Sequence, residues 1–173
     1  MNRFTKGLAL ALTIFGFSTT DTFAQVSATA TATATVVTPI QITKQVDINF
    51  GTLAVSATGG TVILTPAGGR STTSGVVLPA TASTITAASF DITGQPNYTY
   101  AITLPSTATI LTRNTGTETM SVGTFTSTPS LTGTLDGSGN QPLKVGATLT
   151  VGSLQAAGVY VSGTPFTVIV NYN

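Results

Sequence analysis

The chain contains no cysteine, no histidine and no tryptophan, and charged residues fill only 6% of its 173 positions. Without cysteine there is no disulfide framework, no thiol nucleophile and no thiolate to hold zinc. Without histidine the ordinary nucleophile–base triad is missing as well. Past residue 24 the only acids are Asp47, Asp91, Glu118 and Asp136, each isolated in sequence. A carboxylate pair or a calcium cage would have to be assembled from distant loops, and nothing in their spacing suggests one. Gly59-Gly60 and Gly68-Gly69 are not followed by the helix that a phosphate-cradling loop needs, and they read as turns. The expectation is a protein that is not an enzyme and uses no cofactor or metal.

Low charge also bounds the partners. The cations past residue 24 are Lys44, Arg70, Arg113 and Lys144, four against four acids, so this part of the chain is neutral. A neutral surface has no long-range attraction to phosphate and little repulsion between copies. Nucleic acid is therefore not an expected partner, whereas self-association or contact with other surface proteins is.

Met1 to Ala24 has Arg3 and Lys6, then an apolar run from Gly7 to Phe17, then a polar stretch ending Thr22-Phe23-Ala24. This three-part pattern predicts a cleaved export signal, the apolar run being too short for a permanent membrane span. The alternative is an anchor or a buried helix. Export places the mature protein in the periplasm, at the cell surface or outside the cell. With no cysteine for lipid attachment and a polar end at Asn171-Tyr172-Asn173, it is expected to have no stable membrane span.

Residues 25–37, QVSATATATATVV, alternate strictly. Ala28, Ala30, Ala32, Ala34 and Val36 fall on one side of an extended chain and hydroxyl residues on the other, which predicts a β arm. A loose Ala/Thr linker is the competing reading. Behind the break at Thr38-Pro39, residues 38–173 carry one sandwich-sized domain. Ile40, Ile42, Val46, Ile48 and Phe50 share a parity, with Lys44 as the exception that marks an edge or a bend. Further strands are expected at Thr61–Thr65, Gly75–Leu78, Thr119–Thr126, Ser130–Leu135 and, without a fault in alternation, Leu143–Val151. Ala88–Thr93 and Tyr98–Leu104, separated by Gly94–Asn97, are expected to form a hairpin. Gly158–Asn173 closes the chain with Phe166, Val168, Val170 and Tyr172 on one face, and Leu154–Ala157 offers one turn of helix at most. Short half-apolar strands between regular turn signals predict an all-β, immunoglobulin-like antiparallel sandwich.

The tyrosines Tyr98, Tyr100, Tyr160 and Tyr172 could stack a sugar, but the parity of Tyr98 and Tyr100 with Ile102 and Leu104 favours packing in the core. Arg70 and Arg113 lie in Gly/Thr-rich stretches and are expected in exposed loops.

The set Thr38-Pro39-Ile40, Lys44, Asp47, Phe50-Gly51, Pro66, Arg70, Phe90, Gly94, YAITLP at Tyr100 to Pro105, VGATL at Val145 to Leu149, Gly158, Tyr160, Gly163 and FTVIVNY at Phe166 to Tyr172 resembles the secreted bacterial family called domain of unknown function 4402. That resemblance implies compartment and fold, not activity. More distantly, Ile48-Asn49-Phe50-Gly51 and the closing strand are similar to chaperone–usher pilin and spore-coat U type subunits. This likeness implies a sandwich that lacks a strand, a groove filled by the arm of the next subunit, and a periplasmic chaperone as a further partner. The chain differs from pilins in having no disulfide and in an arm whose inward face is mostly alanine. A buried Ala methyl contributes roughly 0.8 kcal/mol, against ~1.5–3 for a Leu or Phe anchor, so such an arm depends mainly on backbone pairing. The expected function is a structural subunit of a surface fibre or coat, pilin-like or adhesive, joined by β-strand addition between the arm and Phe166–Tyr172. The alternative is a self-complete sandwich that binds a glycan or a surface protein.

Overall fold

The computed structural model describes residues 24–81 and 83–173. The export signal read at 1–24 thus lies outside the described residues except for Ala24. The chain divides after Thr35 into two units. In the first, the described residues 24–35 have no regular secondary structure and all are exposed, so the Ala/Thr alternation does not by itself produce a ladder.

The second unit is built from eleven strands and, among the described residues, no helix: β1 Gln41–Val46, β2 Ala54–Leu64, β3 Arg70–Val77, β4 Ala88–Thr93, β5 Thr99–Thr103, β6 Thr109–Arg113, β7 Thr119–Thr128, β8 Thr132–Thr134, β9 Asn140–Val151, β10 Tyr160–Ser162 and β11 Ile169–Tyr172. All pairings are antiparallel. A large eight-stranded sheet runs β1-β4-β9-β7-β6-β10, with β2 on β9 and β3 on β2, and a small sheet runs β11-β5-β8.

The long strand β9 organises both. Leu143, Val145, Ala147, Leu149 and Val151 are each at most 2% exposed. Twelve residues extend about 40 Å at ~3.3 Å per residue, long enough to carry two neighbours end to end on one edge. Asn140–Val145 pairs with β4 and Ala147–Val151 with β2 on that edge, while β7 runs along the other. At the seam stands Gly146, where β2 ends at Leu64 and turns back into β3. A Cβ there would collide with the Leu64 carbonyl oxygen and the backbone of Thr65 and Pro66, so only glycine lets the start of that turn lie against β9.

Each half of β9 serves its own core. Leu143 and Val145 pack with Ile92 of β4 against Tyr100, Ile102, Val168 and Val170 on the small-sheet side. Ala147, Leu149 and Val151 pack with Val62, Leu64, Met120 and Val122 beneath Phe50, Ile48 and Leu53. Ile48 and Phe125 touch both clusters and join them.

The all-β antiparallel sandwich expected from the alternation is present, with differences in detail. Ala88–Thr93 and Tyr98–Leu104 do not form a hairpin. β4 pairs with β1 and β9, whereas β5 pairs with β8 and β11 in the other sheet. The turn between them crosses the sandwich: Gly94 N–H donates to the Gly139 carbonyl (2.9 Å), Asn97 adopts φ 63°, and the Tyr98 carbonyl receives Leu135 N–H (2.9 Å). As a flat hairpin, Ile92 and Tyr100 would lie on one open face. By crossing, they face each other, and both are 0% exposed.

The run from Ile40 to Phe50 is also not one strand. β1 slips register between Lys44 and Val46, and only an isolated Asn49–Thr86 bridge follows. Lys44 does sit on an edge strand, ion-paired with Asp47 at 2.8 Å. Leu154–Ala157 is a turn with Leu154 at φ 49°, not helix. β6 is a strand that its Thr-rich sequence did not announce.

Because Leu143 is fully buried where both sheets meet, Leu143→Ala is expected to destabilise the fold by about 2–5 kcal/mol, read as a lower midpoint in urea with an unchanged slope.

Candidate assembly edge

β11 closes the chain as the outer strand of the small sheet. It pairs with β5 through Ile169–Thr103, Val170–Ile102, Asn171–Ala101 and Tyr172–Tyr100. Asn173 N–H reaches the Thr99 carbonyl (3.4 Å), which makes the odd-numbered positions the hydrogen-bonding ones toward β5. Val170 and Tyr172 then direct their backbone N–H and C=O groups outward. On that side no strand is paired among the described residues. Their side chains stand across the sheet into the core: Val168 and Val170 are 8% exposed, with Phe166 and Tyr172 half-buried beside them. The four residues singled out at the chain end thus do share one inward face, and the open feature is their backbone.

The Tyr172 hydroxyl is held from two directions. It accepts from the Gln95 N–H (2.6 Å) and donates to the Thr38 carbonyl (2.8 Å), while Thr38 N–H donates to Gln95 Oε1 (3.1 Å). A Cβ on Gly94 would strike that hydroxyl, so glycine keeps the space for it. The ring meets Tyr98 edge to face with centroids 5.6 Å apart. Thr38, immediately after residues 25–37, is therefore fixed beside the C-terminal end of β11. This latch was not visible in sequence; its one hint was the hydroxyl of a penultimate tyrosine on an otherwise apolar face.

Of the arm residues, Ala28, Ala30, Ala32 and Ala34 are exposed in the first unit, and Val36 at the start of the second is 96% exposed. The tyrosines do not make a common stacking face. Tyr100 is buried, Tyr98 is 44% exposed despite its parity, and the Tyr160 hydroxyl donates to the Ala156 carbonyl (2.7 Å) and accepts from Gln155 Nε2 (2.8 Å).

At the N-terminal end of β11 lies a cleft of about 650 Å³. It opens between the two crossovers that connect the sheets, residues 104–108 leading from β5 to β6 and residues 163–167 leading from β10 to β11. Ile110 and Ile169 flank it, and no charged side chain lines it.

Arg70, Arg113, Glu118 and Asp136 serve turns and strand ends. Arg113 holds Glu118 through two hydrogen bonds (2.7 and 2.9 Å), which lowers the Glu118 pKa. Asp136 accepts the Asn140 and Ser138 N–H groups (2.9 and 2.8 Å), and these lower its pKa. Arg70 donates to the carbonyls of Phe50 and Thr52. Neither arginine is in an exposed loop as expected: Arg70 opens β3 and Arg113 ends β6, both half-buried, because each ties a turn to a strand end. Among the described residues no three His, Cys, Asp or Glu side chains gather to hold a metal.

Two facing antiparallel sheets, whose outer strands β1, β3, β8, β10 and β11 each pair on one side only, define a β-sandwich domain with open edges. Residues 40–172 match the family described as Domain of unknown function (DUF4402), and the chain belongs to that family. The match runs from β1 to β11 and begins after residues 25–37. No curated protein and no solved structure matches the chain.

Two predictions follow from this geometry. Tyr172→Phe removes both hydroxyl bonds and is expected to lower stability by about 1–2 kcal/mol and to speed amide exchange at Gln95. The depressed pKa of Asp136 contributes stability that is present above the ordinary carboxylate range, near pH ~4, and is lost as pH falls through the folded value. Asp136→Ala should therefore flatten the acid limb of a stability–pH curve and leave its slope near pH 7 unaltered.

Proposed function

We propose that this protein is an exported, non-enzymatic structural subunit of a bacterial surface fibre or coat, in which copies join by β-strand addition. Residues 25–37 of one copy supply the strand, and the outer edge of β11 in another receives it. The observation that supports this reading is the open edge of β11, with the backbone groups of Val170 and Tyr172 directed away from β5. Main-chain bonding suits an arm of alanines, because its affinity comes from the ladder and not from large side chains. The neutral balance of the chain past residue 24 adds no repulsion between copies.

A second reading is a self-complete sandwich that binds a glycan or a surface protein. It is favoured by the burial of Val168 and Val170, which leaves little apolar surface for a donated side chain to cover.

Sedimentation of the mature chain separates the two. Strand addition predicts species larger than a monomer that grow with concentration and disappear when Gln25–Val37 is deleted, with the thermal midpoint of the remaining domain unchanged. A monomer at every concentration, or assembly that survives the deletion, overturns it.

A further inference from the structure

Residues 25–37 carry a second regularity besides the alanines. Ser27, Thr29, Thr31, Thr33 and Thr35 place a hydroxyl at every second position, with Thr38-Pro39 just beyond. All five of these hydroxyl residues are exposed, and their backbone has no regular secondary structure. In the sandwich, by contrast, hydroxyl residues sit on strands whose backbone is bound in ladders. Thr61 and Thr73 face each other across β2 and β3 with their hydroxyls 2.7 Å apart, and Ser127 on β7 donates to the Pro129 carbonyl (2.7 Å).

An enzyme that modifies a hydroxyl lays the acceptor segment extended in its own groove, which requires a backbone free of ladders and small neighbouring side chains. This segment offers both. Alanine flanks Thr29, Thr31 and Thr33 on either side, so no bulky group shields the acceptor oxygen. In an extended chain successive hydroxyls lie about 7 Å apart on one side, which leaves room for a sugar ring on each while the methyl side stays bare. Uncharged Ser/Thr-rich segments next to proline have the composition of O-glycosylated stalks. An exposed irregular segment is also where proteases cut, and this one has no charge to hold water; a cover of sugars supplies both shielding and hydration.

We propose that Ser27, Thr29, Thr31, Thr33 and Thr35 are acceptors for O-linked glycosylation after export. The co-substrate is a sugar carried on a lipid diphosphate. The acceptor oxygen bonds to the anomeric carbon of the sugar as the bond from that carbon to the carrier phosphate breaks. The carrier leaves as the lipid diphosphate, and the hydroxyl proton passes to a base of the transferase and then to water. The proposal rests on the export part of the reading above and not on strand addition.

The test uses the full chain, expressed from its own gene in the bacterium that makes it. The intact mass is expected to exceed that of residues 25–173 by whole sugar residues and to fall to the sequence mass after alkaline β-elimination, with the sugars carried by fragments containing Ser27–Thr35. A variant combining Ser27→Gln, Thr29→Gln, Thr31→Gln, Thr33→Gln and Thr35→Gln should lose every increment. Its thermal midpoint should stay in place, since the described residues 24–35 have no regular secondary structure to disrupt. A processed chain at its sequence mass, sugars found only on the sandwich, or increments that survive in the glutamine variant overturn the proposal and leave export standing. A chain that keeps Met1–Ala24 and carries no sugar overturns export and the proposal together.

Discussion

The structure depends on the pairing of β9 along both of its edges. In a chain with no disulfide, one strand buries every second side chain and carries β4 and β2 in sequence on one side and β7 on the other. That arrangement ties two apolar clusters into one domain. It also fixes where β2 must stop and β4 begin along that edge. Gly146 marks the junction, since its missing side chain lets the turn after Leu64 pack against β9 while β9 runs on unbroken.

That division also sets the borders of both layers: β1, β3 and β10 in the large sheet and β8 and β11 in the small one each pair on one side only. The large sheet takes eight strands around β9, which leaves only β5, β8 and β11 for the opposite layer. A three-stranded layer has little to spare for protecting its borders, and β11 ends there with one side unpaired. Edge strands of this kind are ordinarily blunted by charge, proline or a covering loop. Here β11 reads Ile169, Val170, Asn171, Tyr172, with no charge or proline in the strand, as is also true of the short edges β8 and β10.

Alternation carried most of the legible information. Leu143–Val151 and Phe166–Tyr172 were readable because their periodicity of two is uninterrupted and their inward residues are large. β6 was not, because Thr109, Thr112 and Arg113 give it no apolar stripe and its place is set by β7 and β10. The false hairpin at Gly94–Asn97 came from a local turn signal that is real, but whose direction is decided by Gly139, Leu135 and the need of Ile92 and Tyr100 to face one another. Local chemistry determines that a chain turns, and the partner layer determines where it goes. For the candidate edge, the side-chain face of β11 was legible, whereas the outward backbone groups and the hydroxyl latch depend on register and on residues 38 and 95.

The Tyr172 latch has a mechanical consequence. Thr38 and Tyr172 are 134 positions apart in sequence yet joined by one hydrogen bond. A pull transmitted between the two ends of the domain therefore enters and leaves at a single corner, and the sandwich behind it lies off the line of tension. Such a corner opens by peeling, one bond at a time, whereas a load running lengthwise along paired strands would have to shear many together. In a filament of such domains, resistance to stretching would be set by the junction between neighbours and by this corner, while the β9 core stayed unstrained.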